Sequence, residues 1–112
     1  MSTQQTNDIL AALAQTIAER KSATAEASYT KSLLDGGPLK CAKKFGEEAV
    51  EFVLAVTAQE DAQVQAEAAD VLYHLLVALS ARDVDVNDVL KELERRMGTS
   101  GHAEKSAREA GS

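Results

Sequence analysis

Two pairs of acidic residues interrupt otherwise apolar helical sequence: Glu48 and Glu51, then Glu67 and Asp70. Members of each pair are three residues apart, and fifteen residues separate the pairs. A spacing of three leaves two side chains about 60° apart on one helix face. The short link at Gln59–Asp61 makes the two helices antiparallel neighbours, so the pairs face each other across one groove. Four carboxylates brought together there repel one another and lose hydration, at roughly several kcal/mol per ion. A divalent cation removes that cost. The donors are all oxygen, with no cysteine cluster and no paired histidine, which points to Mg²⁺, or Mn²⁺, in preference to zinc. Nothing resembles the carbonyl-rich loop of a dedicated Ca²⁺ site. The alternative is a set of solvated helix faces. Such faces mix signs at i, i+4, whereas Glu60 to Asp70 holds four acids and no base.

A second pattern lies on the same helix. Lys44 falls about 40° and Lys40 about 80° from Glu48 around the axis, on the side that also carries Glu51 and Glu47. One stripe is therefore basic in its first turns and acidic in its middle. A polyphosphate could meet a cation at the acids while its far phosphates meet Lys40, Lys43 or Lys44, near the positive end of the helix. Ordinary pairing of Lys44 with Glu48 and Lys43 with Glu47 is the competing account, although lysine-before-glutamate is the weaker order. His74 follows Asp70 by four residues and is assigned a supporting role behind the acids. Tyr29 reads either as a substrate contact or as packing. Cys41 reads as a small buried hydrophobe, and His102 falls in a polar tail.

The elements that must position these groups are helices. The spacing of Ile9, Leu10, Leu13 and Ile17 predicts a first helix from about Asn7 to Lys21, capped by Thr6 or Asn7. A short helix follows from about Ser28 to Leu34, closed by Asp35-Gly36-Gly37. Pro38 opens a long one to about Thr57, its inward face being Ala42, Phe45, Ala49, Phe52, Val53 and Val56. Another runs from about Asp61 to Ala81 on Val64, Ala68, Val71, Leu72, Leu75, Leu76 and Leu79. Asp85 caps the last, Val86 to Met97, which ends at Gly98 with Lys91, Arg95 and Arg96 near its negative end. Residues 1–97 thus form one all-α domain of four to five helices, and residues 98–112 a polar, mobile tail. Val71 to Leu79 is almost unrelievedly apolar. A surface helix keeps a polar stripe, so a second copy of the chain is expected to cover this one, giving a homodimer.

Composition sets the outer limits. A chain of 112 residues makes one domain. The formal net charge of −6 argues against a nucleic-acid partner, and it requires a cation or local basic patch for any polyphosphate ligand. Cys41 is the single cysteine, so neither an internal disulfide nor a cysteine zinc site can form. No stretch approaches the ~18 apolar residues of a membrane span and no signal peptide is visible, so a soluble cytoplasmic protein is expected.

The stretches SYTKSLLDGGPLKCAKKFGEEAVEFVLA, EAADVLYHLLVALSARDVDVNDVLKELERR and GHAEKSAR resemble the phosphoribosyl-ATP pyrophosphatase family of histidine biosynthesis. That family is a branch of the all-α, MazG-like nucleoside triphosphate pyrophosphohydrolases. The two acidic motifs identify only the wider group; the SYT, GP, KK and AADVLYHLLV elements point to the histidine branch. In the tail, His102-Ala103 replaces the family's usual apolar-acidic pair. The resemblance implies a dimer that hydrolyses phosphoribosyl-ATP to phosphoribosyl-AMP and pyrophosphate. By the same likeness the metal positions are Glu48, Glu51, Glu67 and Asp70, and Glu47, beside Glu48 and Glu51, either orients or deprotonates the attacking water or serves as an outer metal contact. Lys44, with Lys40 and Lys43, takes the phosphates. Two other functions compete: a housecleaning pyrophosphohydrolase acting on ordinary or damaged nucleoside triphosphates, and a non-catalytic helical dimerisation module.

Overall fold

The computed structural model describes the backbone of residues 3–24 and 28–98, with side chains from Ile9 onward. Every regular element among these is helical. Helix α1 (Thr3–Glu19) runs into a 3-10 turn at Arg20–Ser22, followed by α2 (Tyr29–Asp35), α3 (Gly37–Ala58), α4 (Asp61–Ala81) and α5 (Val86–Met97). None of them is long and apolar enough to cross a membrane.

Local chemistry explains most boundaries. Ser28 caps α2, its Oγ accepting from the Lys31 N–H at 3.2 Å. Gly37 adopts φ +83°, a left-handed conformation that a side chain would strain, and so lets α3 start directly behind α2. Pro38 follows in the first turn of α3, where its missing N–H has no intrahelical partner to lose. Asp85 caps α5 through a 2.8 Å bond to the Asn87 N–H. The first helix departs from expectation. It begins at Thr3, so Thr6 and Asn7 lie inside it rather than at its cap. No glycine or proline between Thr3 and Asn7 stops the helix from extending backwards. The predicted tail, with His102, lies outside the described residues, apart from Gly98.

α3 and α4 form an antiparallel hairpin that carries the chain's main packing contact. α1 lies along α4, α2 bridges the start of α3 and α4, and α5 rests on α1. The core collects Ile17, Leu33, Cys41, Leu76, Val77 and Val86. Each fully buried aliphatic side chain contributes roughly 1.5–3 kcal/mol. Cys41 behaves as a small hydrophobe, its Sγ 3.2 Å from the Leu33 carbonyl, and burial pushes its thiol pKa up. The inward face of α3 differs from the one the spacing suggested. Cys41 and Ala55 are buried and Phe45, Ala49 and Phe52 half-buried, whereas Ala42, Val53 and Val56 are exposed. The apolar arc of α3 is wider than one neighbouring helix can cover, and its far edge faces outward.

On α5, Glu92 lies 2.7 Å from Arg95 and 3.0 Å from Arg96, and these hydrogen bonds pull its carboxyl down to about 2. The folded pKa lies below the unfolded one, so this pairing stabilises the fold above the ordinary carboxyl value of 4.5 and is lost as pH falls through about 2. Glu92→Gln is expected to melt slightly below the parent at neutral pH, with the gap closing between about pH 5 and pH 2. Thermal melts across that range check the sign; a gap that widens on acidification contradicts it.

Candidate functional site

Antiparallel pairing of α3 and α4 sets the middle of one against the first half of the other. Carboxylate oxygens of Glu48, Glu67 and Asp70 all lie within 4.8 Å of one another. Glu48 and Glu67 are half-buried and Asp70 is exposed, so the trio is accessible from solvent along the line where α3 and α4 meet. Glu51 is exposed and stands outside the trio, yet it is close enough for its charge to act on Glu67. Burial, then the charges of Asp70, Glu48 and Glu51, pushes the Glu67 carboxyl above its usual range. Among the described residues neither Glu51, Glu67 nor Asp70 has a cationic partner within ion-pair distance. Three oxygen donors at this spacing, of which only Glu48 has a cationic partner among the described residues, fit a hard divalent cation.

Among the described residues Lys44 provides the one local positive charge in contact with the acids, 3.3 Å from Glu48 and 3.6 Å from Glu47. Its hydrogen bond to Glu48, reinforced by Tyr29 and Glu47, raises its pKa and keeps it protonated. Glu47 itself is exposed. Lys40 is exposed at the start of α3, where its aliphatic stem lies against Gly36 in the place a Cβ would occupy. Lys43 is also exposed, about 140° around the helix from Glu48 and hence off the acidic face.

His74 is 5% exposed, and its Nδ1 has no hydrogen-bond partner among the described residues. Burial lowers its pKa, so the ring is neutral despite the charges of Glu48 and Asp70 nearby. Two tyrosines meet it edge-on: Tyr73 with ring centroids 4.9 Å apart and Tyr29 at 6.3 Å. The Tyr73 hydroxyl bonds Thr30 Oγ1 and so ties the first turn of α2 to α4. Sequence reasoning passed over Tyr73 and Ser28. The available signal was the adjacency of Tyr73 to His74 and of Ser28 to Tyr29, since a cap and a tyrosine hydroxyl are what would pin the short α2 beside the acids.

Fold and site together define a class: an all-α protein whose antiparallel helices present a carboxylate cluster, with a protonated lysine on its flank, to an anionic ligand carried by a divalent cation. Comparison with known proteins narrows this. The sequence profile described as "Phosphoribosyl-ATP pyrophosphohydrolase" matches residues 10–97. The phosphoribosyl-ATP pyrophosphatase of Rhodobacter capsulatus is 57% identical over 99 residues, 88% of this chain and 96% of its own. That of Roseobacter denitrificans is 60% identical over 100 residues, 88% and 94% of the two chains. That of Ruegeria pomeroyi is 53% identical over 103 residues, 92% and 98%. The chain belongs to the phosphoribosyl-ATP pyrophosphohydrolase family.

Proposed function

We propose that this protein hydrolyses phosphoribosyl-ATP to phosphoribosyl-AMP and pyrophosphate, the second step of histidine biosynthesis, at the groove between α3 and α4. Water adds to phosphorus and the anhydride between the α- and β-phosphates breaks, pyrophosphate leaving. The observation that carries the assignment to this groove is the convergence of Glu48, Glu67 and Asp70 beside Lys44, in a chain of this family. These three would hold Mg²⁺, or Mn²⁺, with Glu51 able to swing in as a further ligand. When bound, the cation supplies neutralising charge for phosphoryl oxygens and acidifies water. Lys44 stays charged and is placed to take a phosphate oxygen as it gives up Glu48, with Lys40 serving phosphates further along the helix. Lys43 joins only a substrate that wraps over the outer face. Glu47, exposed and held loosely by Lys44, orients the attacking water or accepts its proton. Tyr29 sits on the rim as a substrate contact, and His74 stands behind Glu48 and Asp70 to fix their setting.

The working form in this reading is a homodimer in the cytoplasm, with a small nucleotide as the ligand and neither nucleic acid nor membrane involved. Val53 on α3 and Leu72 on α4 are 57% and 47% exposed and lie about 140° around their helices from Glu48 and Glu67, on the face away from the acids; Val56, 55% exposed, lies at the edge of that face. Gly46 shares that face; a Cβ there would meet nothing within 4 Å. Glycine in a helix interior costs about 1 kcal/mol relative to alanine, and no contact with the described residues requires it. A second helix approaching closely would.

Purified protein should release pyrophosphate from phosphoribosyl-ATP in the presence of Mg²⁺ and not after its removal. Turnover of common deoxynucleoside triphosphates with none of phosphoribosyl-ATP would reassign it to the housecleaning branch. Absence of turnover on either, with no response to Mg²⁺, would favour the dimerisation module.

A further inference from the structure

The function above places the polyphosphate but leaves the base of the substrate without a partner. We infer that the exposed ring of Tyr29 is the platform on which the adenine of the substrate stacks, so that this residue sets the preference for a nucleotide over a bare phosphate ester. The inference rests on the nucleotide reading of the groove and extends it to the other end of the ligand.

Three observations converge on Tyr29. The residue is 56% exposed although it belongs to the first turn of a helix anchored on both sides. Ser28, immediately before it, is 8% exposed and caps the helix. Thr30, immediately after it, is bonded to the Tyr73 hydroxyl of α4. Residue 29 is therefore held between two fixed neighbours and cannot be withdrawn into the core. The ring is backed on one side by the buried His74 imidazole, in an edge contact with centroids 6.3 Å apart and planes at 90°. The remaining surface is open to water. A large aromatic kept in that state is unfavourable for the free protein, since its apolar area stays hydrated, and a flat apolar partner would relieve it.

The third observation is order along the groove. Lys44 lies 3.3 Å from Glu48 of the acid trio, and Tyr29 meets the ring of His74, one helical turn beyond Asp70 on α4. The acids with their lysine, and then the aromatic ring, therefore follow one another at the scale of single side chains. In an adenosine polyphosphate the same order holds: phosphates, then one ribose, then the base. With the polyphosphate at the acids and Lys44, the base reaches the vicinity of residue 29. Every base has a π-face, and an aromatic side chain offers a sequence-tolerant surface for it. The ring is pre-positioned by its two anchored neighbours, so little ordering cost falls on binding.

The test uses AMP and ribose 5-phosphate as probes, with the full chain and its Tyr29→Leu and Tyr29→Trp variants. AMP carries the base and ribose 5-phosphate does not, while both carry one phosphate. Tyr29→Leu is expected to weaken AMP roughly ten- to hundredfold, to leave ribose 5-phosphate unchanged, and to be rescued by Tyr29→Trp. In the parent, AMP should shift the Tyr29 ring-proton resonances upfield, and ribose 5-phosphate should not. With phosphoribosyl-ATP, Tyr29→Leu should raise KM by a similar factor with little change in kcat, the pattern of lost uniform binding. Equal AMP affinity in parent and Tyr29→Leu overturns the inference. Equal losses for the two probes, or absence of the resonance shift, do the same. If the parent fails to turn over phosphoribosyl-ATP yet the AMP pattern holds, it is the reaction assigned above that falls, not the stacking platform.

Discussion

Mg²⁺ added to the metal-free protein at about a hundredfold excess over its dissociation constant is expected to stabilise the fold by roughly 2.7 kcal/mol, a rise in Tm of roughly 10 °C. The sharper expectation is an inversion between parent and variant. Glu67 carries a pKa raised by burial and by Asp70, Glu48 and Glu51. A carboxyl whose folded pKa lies above its unfolded one opposes folding once ionised, and the penalty disappears as pH falls below the ordinary value of 4.5. Without metal at neutral pH, Glu67→Gln should therefore melt above the parent. With Mg²⁺ the order should reverse, because the variant has lost a ligand and gains less. Glu48→Gln and Asp70→Asn should lose turnover by roughly 10²–10³-fold, each removing a charge-bearing donor from the centre of the groove. Calorimetric melts with and without Mg²⁺, together with pyrophosphate release, read both effects. Parent-like turnover in Asp70→Asn, or Tm values for parent and Glu67→Gln that move in parallel with Mg²⁺, would remove the cation from this groove.

Much of this was legible in the chain because the signals were local. The bounds of α4 match its apolar period, and Asp85 caps α5 as a short polar residue before a helical run should. Glu48, Glu67 and Asp70 meet because a three-residue spacing and a short link constrain two helices almost completely. What stayed hidden depended on reach and on neighbours. Glu51 shares the face of Glu48, yet face alone does not say which carboxylate arrives at the centre. Lys43 is adjacent to Lys44 in sequence and about 100° away in space, a separation that a cluster of lysines conceals. Val77 is fully buried and went unmarked inside VLYHLLVAL, because in a run with no polar residue periodicity cannot tell one face from another. The same loss of contrast mixed two surfaces of α3: the one that meets α4, and the one carrying Val53 and Val56.

That second surface leads to the other large effect. In the homodimer proposed above, Leu72→Asp combined with Val53→Asp is expected to convert a species of twice 11.9 kDa into one of 11.9 kDa. Both residues are already exposed in the single subunit, 47% and 57%, so charging them removes nothing from its own core. In a two-fold dimer each substitution occurs twice and sets like charges at a desolvated contact, where a pair costs several kcal/mol. Gly46→Leu provides a control that a merely unstable subunit cannot imitate. Leucine is the better helix former by about 1 kcal/mol, and its Cβ would meet nothing within 4 Å among the described residues. It should strengthen α3 in isolation while holding a second helix away, so the dimer should weaken as the helix improves. Light scattering coupled to gel filtration, over a dilution series, separates the outcomes. Retention of the dimer by both variants would place the contact on another face, and would leave the exposed apolar face of α3 and α4 without an occupant.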